Sequence, residues 1–218
     1  MLKKFKLAYN PYFHIPFLLW VVVGGILAYS FNKKELFAAV NTHYTPIADF
    51  LMYHITYMGQ PEVIIPTLIA LMFIPVFRTK WYFTAAVLGN ITPLVMQQWL
   101  KRLFHSPRPL LYFNGDPWIH YLHQWPELTR NSFPSGHSQG AFSFFCFLTL
   151  LLPARYSKVG LLFFTLALMV CYSRLYLAAH FFEDVYTGSI IGATTTTLIF
   201  SLVSSYRPVK KEKTIIAE

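Results

Sequence analysis

Three separated stretches carry side chains whose types and spacing suit the handling of an anion: Lys101, Arg108 and Pro109; then Pro134, Ser135, Gly136 and His137; then Ser173, Arg174, His180 and Asp184. Lys101 and Arg108 close an apolar run, where cations often only anchor a helix by reaching back to the membrane surface; Arg102 reads as such an anchor. Pro107 and Pro109 stiffen the backbone around Arg108 and aim a planar guanidinium at a fixed target, for which phosphate is the natural match. Pro134 to His137 stands just before another apolar run, so Ser135 reads as a helix cap. A helix start also offers free amides and partial positive charge, and Gly136 has no side chain to hold a phosphate away from them. His137 follows, placed to hand a proton to a departing oxygen. His180 and Asp184 are four apart and share a face if helical. The carboxylate can then hold one imidazole nitrogen and leave the other to attack phosphorus. A hydrogen-bonded polar pair at a membrane interface is the plainer alternative. Arg174 weighs against it, because arginine at the bilayer centre costs on the order of 2.5 kcal/mol or more and calls for an anionic partner. Glu183, next to Asp184, points elsewhere on a helix.

These residues need a scaffold, and the composition says which kind. Hydrophobic residues make up 55% and charged residues 12% of the 218, too little polar surface to wrap a water-soluble globule. An all-α integral membrane protein is predicted, with six spans near 14 to 31, 61 to 77, 82 to 100, 138 to 153, 159 to 176 and 185 to 204. Residues 159 to 204 as one helix would reach roughly 69 Å at about 1.5 Å per residue. A hydrocarbon core of roughly 30 Å therefore forces a turn, placed near Ala178 to Phe182. Residues 1 to 218 read as a single membrane-embedded domain without internal repeat.

Cation placement sets the orientation, since cytoplasmic flanks hold the excess of Lys and Arg. With both termini inside, eleven of the eighteen cations are cytoplasmic: Lys3, Lys4, Lys6, Arg78, Lys80, Arg155, Lys158, Arg207, Lys210, Lys211 and Lys213. All three stretches then face outward, which in a bacterial inner membrane means the periplasm. The formal net charge of +9 is largely explained this way, so nucleic acid is not expected as a partner. A basic start, an apolar run and Ala28 with Ser30 would permit a cleaved signal peptide. Cleavage would leave five spans, so an uncleaved first helix is preferred. Residues 32 to 60 are amphipathic and predict short interfacial helices. Asn114 to Pro117 marks a turn in the outer loop, with Trp118, Tyr121 and Trp125 as interfacial aromatics. Gly188 and Gly192 read as a helix-packing face; Cys146 and Cys171 read as core, not a disulfide.

His120 and His123 have a spacing that metal ligands use. No acidic cluster accompanies them to hold magnesium with a phosphate, whereas Lys101, Arg108 and Arg174 supply the countercharge directly, so neither a metal nor a cofactor is expected.

In order, the three stretches resemble the signature motifs of the type 2 phosphatidic acid phosphatase superfamily: Lys-x6-Arg-Pro, Pro-Ser-Gly-His and Ser-Arg-x5-His-x3-Asp. Every signature position is filled, within residues 101 to 184. The resemblance implies a metal-independent lipid phosphatase with a phosphohistidine intermediate. On that pattern His180 is the nucleophile, Asp184 orients it and His137 is the acid, while Lys101, Arg108, Ser135, Gly136 and Arg174 hold the phosphoryl oxygens. The expected partner is a lipid phosphate or diphosphate in the bilayer: undecaprenyl diphosphate, phosphatidylglycerophosphate, phosphatidic acid or a lipid A type phosphate. A phosphotransferase using the same intermediate is the nearest alternative, and an anion transporter with a cationic vestibule is the non-enzymatic one.

Overall fold

A computed structural model describes residues 6–206. Lys3, Lys4, Arg207, Lys210, Lys211 and Lys213, invoked for orientation, lie outside them. The described residues form helices α1 (Pro11–Ser30), α2 (Lys33–Asn41), α3 (Pro46–Ile55), α4 (Pro61–Leu71), α5 (Lys80–Phe104), α6 (Pro109–Tyr112), α7 (Gly136–Leu151), α8 (Val159–Tyr176) and α9 (Phe182–Ser205). Single 3-10 turns lie at Thr56–Gly59, Pro75–Phe77 and Ala154–Tyr156.

The helix starts are written locally. Asn10 accepts from the Tyr12 amide ahead of Pro11, Asn32 and Glu35 form a reciprocal capping box, and Thr45 and Thr79 cap α3 and α5. The short α2 and α3 fall between residues 32 and 60, where short helices were expected.

Among the described residues, α1, α8 and α9 are long and apolar enough to cross a membrane. α5 runs 25 residues, but its last turns carry Gln97, Gln98, Lys101 and Arg102. The run expected over 61 to 77 is broken. Helix α4 stops at Leu71, because Pro75 supplies no amide and Ile74 before it is extended (φ −80°, ψ 124°). The Arg78 guanidinium then ties off the Met72 and Phe73 carbonyls at 3.2 and 2.9 Å. The turn expected near Ala178 to Phe182 occupies residues 177–181: the Ala179 and His180 amides both donate to the Arg174 carbonyl (3.0 and 3.1 Å).

Helix α7 is the central strut, packed against α9 above all and against α8 and α5. Its core face meets α1 and α8 through edge-on contacts of Phe142 with Phe13 and Phe164. The α7/α9 seam is close enough to need glycine. A Cβ on Gly188 would lie 2.5 Å from the Ser135 carbonyl oxygen, and one on Gly192 would lie 2.4 Å from that of Gln139. Both cysteines are free and buried. Lys101, His137, Arg174 and Asp184 stand at the C-terminal end of α5, the N-terminal end of α7, the C-terminal end of α8 and the N-terminal end of α9. Helix sense therefore brings them to one end of the bundle.

Candidate active site

His180 is buried in the α8/α9 turn. Its Nε2 lies 3.2 Å from Arg108 Nη1, and a guanidinium can only donate, so Nε2 carries the lone pair and Nδ1 the proton. Nδ1 faces the Asp184 carboxylate and the Ser132 hydroxyl, both at 3.4 Å. The carboxylate is held more firmly by others: Ser132 Oγ donates to Oδ2 at 2.5 Å and the Phe181 amide at 2.9 Å. Asp184 thus caps its own helix while facing the imidazole. Burial, then the charges of Arg108, Arg174 and Lys101, hold the His180 ring well below the ordinary 6.5, so it is neutral at neutral pH.

The Arg108 guanidinium rests on backbone carbonyls. Nε donates to the Arg130 carbonyl (2.9 Å), Nη1 to that of Ala179 (2.9 Å) and Nη2 to that of Asn131 (3.4 Å). Burial lowers it to about 10, which leaves it cationic.

Arg174 is fully buried. Nη1 donates to Thr56 Oγ1 at 2.6 Å and the guanidinium lies over the Trp125 ring at 4.9 Å, yet Nε and Nη2 have no hydrogen-bond partner among the described residues. A buried cation with two free donors is a standing demand for an anion.

Ser135 caps α7, accepting from the Ser138 amide (3.3 Å) and hydroxyl (3.0 Å), while its own amide donates to the Asp184 carbonyl at 3.0 Å. That bond fastens the start of α7 to the start of α9. The next amides, of Gly136 and His137, belong to the first helical turn and have no intrahelical acceptor. Lys101, Gly136 and His137 share the lining of a cavity of about 260 Å³ with Ile64, Ile91 and Leu94. A second cavity of about 320 Å³ continues between α4 and α5, with Ile65, Asn90 and Ile91 common to both. Ser173, by contrast, bonds back to the Val170 carbonyl at 2.6 Å within its own helix.

The structure also brings in residues that sequence spacing did not single out. Ser132 bonds Asp184, Thr56 bonds Arg174, and Gln60 reaches His137. His120 is spoken for by Asp49 (2.7 Å) and stacks on Tyr44 at 3.9 Å. Among the described residues no group of three or more His, Cys, Asp or Glu side chains is arranged to hold a metal.

Residues 78–207 match the model of the PAP2 superfamily. An undecaprenyl-diphosphatase from Sulfolobus acidocaldarius is 28% identical over 211 residues, covering 92% of this chain and 95% of the relative. The crystal structure of Aquifex aeolicus LpxE superposes with a TM-score of 0.64 at 28% identity, over 77% of this chain and 93% of that one. That of the first transmembrane PAP2 type phosphatidylglycerolphosphate phosphatase from Bacillus subtilis gives 0.67 at 22% identity, over 93% and 100%, a shared fold.

Proposed function

The chain belongs to the PAP2 superfamily, and we propose from its site that it is a membrane phosphatase removing a phosphoryl group from a lipid phosphate or diphosphate without a metal. The observation that carries this reading is the buried Arg174, with two unpartnered donors, close to a neutral His180 whose lone pair faces Arg108. An oxyanion entering there would take up the free donors of Arg174 and draw Arg108 Nη1 off the His180 lone pair, freeing it to attack.

His180 Nε2 attacks phosphorus, forming the P–N bond as the bond to the lipid oxygen breaks. His137 gives that oxygen its proton. Arg108, Arg174, Lys101, the Gly136 amide and the Ser135 turn neutralise and position the three equatorial oxygens. Asp184 stabilises the Nδ1 proton of His180. Water, deprotonated by His137, then attacks the phosphohistidine; the P–N bond breaks and orthophosphate leaves. The apolar cavities between α4 and α5 accept the lipid end, whose leaving oxygen lies beside His137.

On this reading the apolar stretch from α4 through the Pro75–Phe77 turn, together with α5 and α7, joins α1, α8 and α9 to make six spans, and residues 1 to 218 work as a single membrane-embedded unit. The site faces the periplasmic side of an inner membrane, opposite Arg78, Lys80, Arg155 and Lys158. The test is orthophosphate release by detergent-purified protein from prenyl diphosphate, phosphatidylglycerophosphate, phosphatidic acid and lipid A type phosphate, with chelator present. An acid-labile, alkali-stable phosphate should form on the wild type and be missing from His180→Ala. Activity that chelator abolishes and magnesium restores would refute the site.

A further inference from the structure

Gln60 stands at the start of α4 between the Thr56–Gly59 turn and Pro61. Its backbone is extended (φ −98°, ψ 148°), as a residue before proline prefers, and its amide donates to the Tyr57 carbonyl at 2.9 Å. Its side chain makes no cap bond to its own helix. It crosses to α7 instead, where its amide nitrogen lies 3.0 Å from His137 Nε2. The crossing distance is fixed by backbone on backbone. A Cβ on Gly59 would lie 2.4 Å from the His137 carbonyl oxygen, and one on Gly140 would lie 2.6 Å from that of Gly59.

We propose that Gln60 is the positioning residue for His137, facing Nε2 in every protonation state of the ring so that Nδ1 alone exchanges protons with the leaving oxygen and with water. This rests on the assignment of His137 as the acid. A primary amide presents N–H or, turned over, C=O. It can donate to a bare Nε2 or accept from Nε2–H once the ring gains a second proton. The second proton is the one His137 takes from water when the phosphohistidine is hydrolysed in the preceding turnover; once it passes from Nδ1 to the leaving oxygen, the ring is neutral with hydrogen on Nε2, held by the Gln60 carbonyl, and the Nδ1 lone pair is free to take a proton from water again. A leucine there could hold neither state, and a glutamate only the Nε2–H state. Lys101 from α5, Arg108, Arg174 from α8 and His180 are cationic or neutral, the Asp184 carboxylate of α9 is turned to Ser132 and Phe181, and the Tyr57 hydroxyl donates to Tyr53. Glu62 of α4 is exposed. Gln60 is thus the neutral group that answers the ring.

The experiment is the pH profile of kcat and kcat/KM for orthophosphate release by Gln60→Leu, Gln60→Glu and Gln60→Asn in detergent, with His137→Asn identifying the limb that belongs to His137. A carboxylate beside Nε2 favours the doubly protonated ring, so Gln60→Glu should move that limb to higher pH by about one unit or more. Gln60→Leu should move it to lower pH and lower kcat about tenfold or more, with KM nearly unchanged. If Gln60→Leu does not fold, the Glu and Asn variants carry the test. A limb that stays at the wild-type pH in every folded variant, whatever the rate, overturns the inference and leaves Gln60 a packing residue. Wild-type turnover by His137→Asn would instead remove the acid assignment beneath it.

Discussion

Replacing Ser132 by alanine isolates the support of His180, the proposed nucleophile, from contact with phosphate. Ser132 is fully buried, and its hydroxyl is the closest of the donors on Asp184 Oδ2, at 2.5 Å against 2.9 Å for the Phe181 amide and 3.4 Å for His180 Nδ1. A hydrogen bond to a charged group contributes about 1.5–3 kcal/mol. Removing one oxygen leaves space near the lower limit of what holds a water, so little replacement is expected. If the loss is felt in the transition state, where His180 becomes cationic and leans on the carboxylate, kcat falls by about 10- to 150-fold at 1.36 kcal/mol per decade. KM should stay within about twofold, since no phosphoryl contact is removed. The assay is steady-state orthophosphate release in detergent for wild type, Ser132→Ala, Asp184→Asn and the double variant. The serine acts through the aspartate, so its removal should cost much less in the Asp184→Asn background. A kcat for Ser132→Ala within twofold of wild type, or the same cost in both backgrounds, would refute the reasoning.

Arg174→Met should abolish turnover while melting no earlier than wild type by tryptophan fluorescence, because it removes a buried cation with two unmet donors. Orthophosphate should raise the melting temperature of the wild type and not of that variant. Gly188→Ala, which presses a methyl on the Ser135 carbonyl, should cost about 1–3 kcal/mol of stability and lower kcat in the same assay. The neutral His180 gives a signed pH effect. Below 6.5 the unfolded chain takes a proton that the folded ring refuses, so stability is present above 6.5 and is lost as pH falls from there toward the lowered folded value. Melting curves should show this loss in wild type and less of it in His180→Asn.

Part of the site was legible from close spacing along the chain, although His180 stands in the turn before α9 and does not share a helix with Asp184. His180 and Asp184, four apart, do face one another, whereas the Arg108 guanidinium, read from sequence as aimed at phosphate, is fixed on the carbonyls of Ala179 and Arg130. Ser135 was readable as a cap and Gly188 with Gly192 as a packing face, since caps and close crossings have local signatures. Ser132, Thr56 and Gln60 have none. Each lies outside the three motifs, and it gains meaning only when a distant helix end arrives beside it: Thr56 is 118 positions from Arg174 and Gln60 is 77 from His137. The break of α4 was missed because residues 72 to 77 are apolar throughout their length. Hydropathy there outweighed the missing amide of Pro75, which decides where the helix stops.

The seam between α7 and α9 has a physiological reading. Because Gly188 and Gly192 rest directly on the opposing peptide chain, His137 of one helix and Asp184 of the other ride on a single rigid body. Thicker or more ordered lipid can tilt that body, but it meets no compressible layer of side chains between the two helices. Growth temperature and acyl composition would then act on the tilt of the pair, leaving the spacing of His137 and Asp184 untouched.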